Sequence, residues 1–156
     1  MKLTLNKEYA HRHLFVTLLM LGLGLWFGYD GFVRYPDTPA IELYRSIEKS
    51  DPPAGMDLEA FKDQKTKTQY GFTFACLLAA LIIGVRLNRA RKFSFEWDDA
   101  GFTVNGVHHA KDEIEAIDDS LWEKKSILTL RLKNGSRILL DAWHHLGVKD
   151  FKSSAV

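Results

Sequence analysis

The sequence predicts an α+β membrane protein, a two-helix transmembrane hairpin followed by a small antiparallel β-domain with a short C-terminal helix. Three observations carry this. Residues 14–29 and 70–85 hold no charged side chain, whereas helices of a soluble core keep a polar stripe. Four basic residues, Arg86, Arg89, Arg91 and Lys92, follow the second run at once. From Phe93 the apolar period becomes two, with Phe93, Phe95 and Trp97 alternating against Ser94 and Glu96. Whole-chain averages, 46% hydrophobic and 26% charged with net charge +1, hide this segregation.

The boundaries read as a cytoplasmic N-terminus 1–13, a first span 14–33, an extracytoplasmic helical loop 34–69, a second span 70–87, a basic linker 88–92 and the β-domain 93–156. Each uncharged run falls slightly short of the roughly 20 residues that cross a bilayer core. The first reaches that length through Asp30 to Val33, the second through Leu87 with Arg86 snorkelling to the interface. Aromatics gather at the end of the first run (Trp26, Phe27, Tyr29) and the start of the second (Tyr70, Phe72, Phe74), as interfacial belts do. Lys2, Lys7 and Arg12 precede the first span, and the basic group 86–92 follows the second. By the positive-inside rule both termini are cytoplasmic and Arg86, Arg89, Arg91 and Lys92 meet the membrane surface. A cleaved signal peptide is the rival for the first run, but its exit, Tyr29-Asp30-Gly31-Phe32-Val33-Arg34, lacks a small-x-small site. Asp30, near the outer interface, reads as water-exposed or as a local cap.

Small residues recur at helical spacing: Gly24 and Gly28 in the first span, and Gly71, Ala75 and Ala79 in the second with Ala80 and Gly84 alongside. Such rows let helix backbones approach closely. The two spans packing on each other explains them, and an oligomerisation face is the alternative. In the loop, Tyr35-Pro36-Asp37-Thr38-Pro39 predicts a rigid turn. Ile41, Leu43, Tyr44 and Ile47 predict a short amphipathic helix, and residues 56–67 a second helix after the 50–55 break. The lone cysteine, Cys76, has no disulfide partner and reads as an apolar packing residue.

In the C-terminal part, Asp98-Asp99-Ala100-Gly101 supplies a turn, Phe102 and Val104 resume alternation, and Asn105-Gly106 marks a tight hairpin into residues 107–109. Ile114 and Ile117 are the apolar points of a further short element. The segment 126–141 is the clearest hairpin. A three-residue loop, Lys133-Asn134-Gly135, pairs Leu130 with Ile138 and Leu128 with Leu140, uniting apolar residues and giving Gly135 the left-handed position. Residues 142–151 form a short helix or turn in which Trp143, Leu146 and Phe151 cover the open end of the sheet.

The order FSFEWDDAGFTV, KDEIEAID, ILTLRLKNGSRILLD and a short terminal helix resembles a bacterial pleckstrin-homology-like domain over residues 93–152. The resemblance implies a β-sandwich next to membrane helices, and hence the cytoplasmic (inner) membrane of a bacterium. About five strands are visible after residue 93, fewer than the family's sandwich holds, so the domain is truncated, completed by another copy, or a different small sheet. The lipid-headgroup binding that the family name suggests needs basic residues in the first hairpin loop. Here that loop carries Asp98 and Asp99, and residues 93–156 hold eleven acidic against eight basic side chains, which also opposes nucleic-acid binding.

No catalytic, cofactor or metal set emerges. Adjacent His108 and His109 point to opposite faces of a strand, and the pairs His11/His13 and His144/His145 converge only through an unproven fold. The acidic residues Asp112, Glu113, Glu115, Asp118 and Asp119 lack calcium-loop spacing. With Asp98 and Asp99 they form a candidate surface for a basic partner. The function expected is a non-enzymatic membrane protein presenting a cytoplasmic β-domain for protein interaction or self-assembly. Its partners would be membrane lipid and either copies of itself or another membrane protein. An accessory subunit of a membrane enzyme or transporter and an anionic-lipid sensor are the alternatives.

Overall fold

The computed structural model describes residues 1–155. The chain is α+β and divides into two units, Phe15–Gly84 on one hand and Met1–Leu14 with Val85–Val156 on the other. Two of its helices are long and apolar enough to cross a membrane.

In the helical unit, α1 (Lys7–Tyr29) passes into a π-helical turn, Asp30–Arg34, and a further helical turn, α2 (Tyr35–Asp37). The expected rigid turn at Tyr35 therefore begins later, at Thr38. Pro36 lacks the N–H that an α-helix would send to the Phe32 carbonyl, and its ring crowds that carbonyl. The wider π turn stands just before it. Thr38 then ends the helix, its hydroxyl donating to the Arg34 carbonyl at 2.6 Å, and Pro39 prevents continuation. Helix α3 (Ala40–Glu48) buries Leu43 and Tyr44, and Tyr44 packs on Phe61 with ring centroids 4.9 Å apart.

Helix α4 (Leu58–Lys92) runs unbroken for 35 residues. Asp57 caps it, accepting the Ala60 N–H at 3.0 Å. At about 1.5 Å per residue it outreaches the roughly 30 Å hydrocarbon core. The segment 88–92 is consequently not a linker but the last turns of this helix, closed by Phe93 N–H donating to the Arg89 carbonyl at 3.0 Å. Arg89, Arg91 and Lys92 suit a helix C-terminus, where the macrodipole favours cations.

The other unit holds the β-domain. Its strands are β1 (Thr4–Leu5), β2 (Phe95–Trp97), β3 (Gly101–Val104), β4 (Val107–Ala110), β5 (Ile114–Asp118), β6 (Ile127–Leu132), β7 (Arg137–Asp141) and β8 (His145–Leu146). A 3-10 turn (Lys111–Glu113) precedes β5, α5 (Trp122–Lys125) precedes β6, and α6 (Val148–Ala155) ends the described chain. The sheets are antiparallel, ordered β2-β3-β4, β5-β6-β7 and β1-β8. The two hairpin turns follow the sequence signals. Val104 pairs Val107 across Asn105-Gly106, both at positive φ. Leu130 pairs Ile138 and Leu128 pairs Leu140, with Gly135 at φ 82°.

The strand expectation of about five is low: seven strands follow residue 93 among the described residues, and the N-terminus adds to them. Leu3 N–H donates to the Phe95 carbonyl at 2.9 Å and Trp97 N–H to the Met1 carbonyl at 2.8 Å, with Lys2 bridged to Glu96. Residues 1–3 thus extend the first sheet beyond β2, and Thr4 and Leu5 then pair with Leu146 and His145. The core joins Leu3, Phe95, Phe102, Leu128, Leu130, Leu132, Leu140, Val148 and Phe151. Phe151 sits edge-on to Phe95 at 5.1 Å, as expected of a cover, whereas Trp143 and Leu146 are about half exposed and close nothing. A second cluster, Tyr9, Ala10, Leu87 and Ala90 with Leu5 against it, ties the start of α1 to the end of α4.

Candidate functional site

The β-domain opens into a cleft of about 500 Å³ walled by Trp97, Phe102, Ile114, Ile117 and Phe151, with Asp98, Asp99 and Lys111 at its rim. One wall is set by the turn between β2 and β3. Asp98 accepts the backbone N–H groups of Ala100 (2.9 Å) and Gly101 (3.0 Å) on one oxygen, holding the turn closed. Gly101 is required by close approach: a β-carbon there would stand 2.2 Å from the His109 carbonyl oxygen. Phe102 is then clamped between Phe95 (5.7 Å) and the His109 ring (5.1 Å, nearly parallel).

The acidic residues divide into engaged and open ones. Glu113 accepts from His109 Nδ1 at 2.9 Å and from Ala110 N–H at 3.0 Å, so its pKa lies below the usual carboxylate range, chiefly through the His109 hydrogen bond. Asp118 falls to about 2 through hydrogen bonds from Ser120 and the Arg131 guanidinium, which stands 2.7 Å away. Asp119 pairs with Lys152 at 2.9 Å. Asp98 is spent on its own turn. Asp99, Asp112 and Glu115 are exposed and have no ion-pair partner among the described residues. The open negative charge is therefore narrower than the sequence suggests, and Asp99 is the part of it at the cleft.

Arg86, Arg89, Arg91 and Lys92 are exposed on the closing turns of α4, also without ion-pair partners among the described residues. In the helical unit a β-carbon on Gly24 would meet Leu77 at 2.9 Å, and one on Gly28 would meet Thr73 at 3.6 Å. Gly84 faces Thr17 and Ala80 is buried. Gly71, by contrast, has nothing within 4 Å, Ala75 is exposed and Ala79 half-buried. The packing row on α4 accordingly runs through Thr73, Cys76, Leu77, Ala80 and Gly84, one to two residues out of phase with Gly71 and Ala75.

Two polar groups are buried, one of them against expectation. Asp30 is buried rather than water-exposed, 6% accessible, between the Trp26 indole N–H (3.2 Å) and Arg34 (3.4 Å). His145 is buried in the β-domain, where Nε2 lies 3.0 Å from the Ala90 carbonyl and the ring packs on Phe93 at 5.1 Å. Nε2 must carry the proton to donate there, and burial lowers the His145 pKa. His144 faces Tyr9 at 4.4 Å and Asp141 at 3.6 Å. No cluster of three or more metal-ligating side chains forms among the described residues. The signal for the N-terminal strand is the alternation of Leu3 and Leu5 with Lys2 and Thr4, and that for His145 is only its place beside Leu146. No known family model, curated protein or solved structure matches the chain.

Proposed function

We propose that this chain is a two-pass integral membrane protein, with spans 14–33 and 70–87 and both termini cytoplasmic, that presents a pleckstrin-homology-like β-domain as a non-enzymatic protein-interaction module. Eight short strands in three antiparallel sheets, followed by α6, are compatible with the small β-domain that the family resemblance implies. The N-terminal strand also changes the kind of interaction. The sheet edge beside β2 is already filled by the chain's own residues 1–3, so completion by a strand from another copy is not needed there.

The cleft is the observation that carries the interaction reading. A concave apolar site walled by three aromatics and two isoleucines suits an anchoring apolar side chain. Asp99 beside it favours a basic neighbour on the partner. Cytoplasmic segments flanking membrane helices are rich in Lys and Arg, so another membrane protein fits the site best. The test places a photo-crosslinking residue at Asp99, and as a control at Lys133 on the β6–β7 turn, in the full-length membrane-bound chain. Discrete adducts at 99 only, lost on Ile117→Arg, are expected; equal labelling at both positions contradicts the cleft.

The accessory-subunit reading keeps one observation of its own. Gly71 and Ala75 form an open small-residue face on α4 that the chain's own first helix does not use, and such a face accepts a partner helix. Gly71→Leu with Ala75→Leu would abolish complex formation on this reading and leave the cleft adducts unchanged.

A further inference from the structure

Asp30 is the buried ionisable group that the packing of the helical unit leaves unexplained. It lies in the π-helical turn beneath Trp26 and Arg34, which are both more than half exposed at their side chains or rings. Each carboxylate oxygen has one donor, at 3.2 Å and 3.4 Å. Those contacts are long for charge-assisted bonds, which run about 2.7–2.9 Å, and a carboxylate has about four acceptor positions. Asp30 therefore has capacity for a further donor.

The surface above it is a groove lined by Gly22, Leu25, Trp26, Tyr29, Asp30 and Arg34. Gly22 gives it an open floor, since nothing lies within 4 Å of where its β-carbon would be. Apolar residues thus occupy one end, two aromatic rings the flank, and a carboxylate with a guanidinium the other end. Opposite charges one helical turn apart complement a zwitterion, and the apolar end continues away from them. A buried acid facing hydrocarbon is costly unless it is paired, and the long Arg34 contact pairs it only loosely.

We propose that this groove seats the headgroup of an amine-bearing phospholipid. The primary ammonium donates to the Asp30 carboxylate between the faces of Trp26 and Tyr29. The phosphodiester lies against Arg34, and an acyl chain follows Leu25 over Gly22. This rests on the two-pass reading. A choline headgroup has no N–H to donate, and a glycerol headgroup offers only neutral hydroxyls, so neither gives Asp30 a charge-assisted bond.

The full chain, purified in mild detergent, is offered equal amounts of ethanolamine, choline and glycerol phospholipids with identical acyl chains, and retained lipid is counted by native mass spectrometry. Ethanolamine lipid is expected to be retained about tenfold over choline lipid, the value of one charge-assisted hydrogen bond. Asp30→Asn, nearly isosteric, erases that preference while helicity stays unchanged. Gly22→Leu, which has room for its side chain, lowers retention of all three. Equal retention by the wild type, or a preference that survives Asp30→Asn, overturns the site, and so does a preference for the anionic glycerol lipid. Release of the wild-type chain from membranes at alkaline pH would overturn the two-pass reading and this site with it. Firm membrane retention without lipid preference would overturn the site alone.

Discussion

Replacing Leu3 by Ala tests whether the N-terminal strand is an integral part of the β-domain. Leu3 is 5% exposed, belongs to the main core, and has its Cδ2 near Gly147, 3.2 Å from where a β-carbon on that glycine would be. The substitution removes three carbons, at about 0.8 kcal/mol each. It also leaves a cavity beside Phe95 that the sheet closes only in part, so the cost is about 3 kcal/mol. A specific reporter exists: the Trp97 amide donates to the Met1 carbonyl, a bond that exists only while residues 1–3 are docked. In the full chain in detergent, hydrogen exchange at Trp97 should quicken by about 150-fold in Leu3→Ala. The β6–β7 amides should quicken less if the strand opens by itself, or equally if the domain melts as one. An unchanged Trp97 rate would refute the reasoning, because it would mean that the first residues fray as chain ends ordinarily do.

Three further outcomes follow from the same structure. His145 has a lowered folded-state pKa, so the unfolded chain takes up its proton first; the stability it supports is whole above about pH 6.5 and is lost as pH falls below that. A thermal melt should show a lower midpoint at pH 5 than at pH 7.5, with much of the difference absent in His145→Gln; an unaltered pH profile in the variant contradicts it. Gly101→Ala drives a methyl against the His109 carbonyl, which as backbone cannot move aside, and should destabilise the β-domain by about 3 kcal/mol or more, read as protease sensitivity of β3 and β4. Gly24→Val should loosen the pairing of α1 with α4 by forcing Leu77 aside, whereas Gly71→Val should be silent in the isolated chain; cysteine pairs engineered across the two helices would report both.

The sequence made the hairpins legible because their causes are local. Asn105-Gly106 and Gly135 supply positive φ where the turns demand it, and the alternation of apolar residues sets the register. The row of small residues was legible as a type but not in phase. Thr73-Cys76-Ala80 lies one to two residues out of phase with Gly71-Ala75-Ala79, and only the position of α1 decides between them. The strand at Thr4–Leu5 is too short for its period to be distinguished from chance, and what fixes it, pairing with His145–Leu146, is some 140 residues distant. Asp30 is illegible for a related reason. Its burial depends on a π turn that Pro36 helps to provoke and on the reach of Trp26 and Arg34, none of which a charge among apolar residues announces. The acidic surface was overcounted because a sequence shows charges and not their hydrogen bonds; Asp98, Glu113, Asp118 and Asp119 are satisfied within the domain.

The N-terminal strand also bears on how the β-domain is held. A domain hung from one helix by a flexible linker samples many orientations, and a binding surface on it meets partners from all of them. Here Asn6 alone separates β1 from α1, and it is fixed at both ends. Its N–H donates to the His144 carbonyl at 2.9 Å, and its side chain caps the helix through Glu8 N–H at 3.0 Å. At the other helix, Phe93 and Ser94 separate α4 from β2, and both amides are bonded, to the Arg89 carbonyl and to Asn105 Oδ1. His145 adds a buried bond to Ala90 on the final turns of α4. Two helix ends, each joined by hydrogen-bonded residues and packed together through Tyr9, Ala10, Leu87 and Ala90, leave the β-domain no free swivel about either. A second attachment of this kind raises the effective concentration of one orientation at the expense of the others. The cleft beside Asp99 is therefore offered in a single direction relative to the helix ends. On the proposed reading, in which the helices are membrane spans and the cleft takes a membrane partner, that partner meets a restricted set of orientations, and a soluble peptide of the same sequence gains nothing from that restriction. Affinity for a membrane-embedded partner should accordingly exceed affinity for its isolated cytoplasmic segment. Breaking the second attachment with Leu3→Ala should narrow that gap while leaving peptide binding unchanged wherever the core still folds.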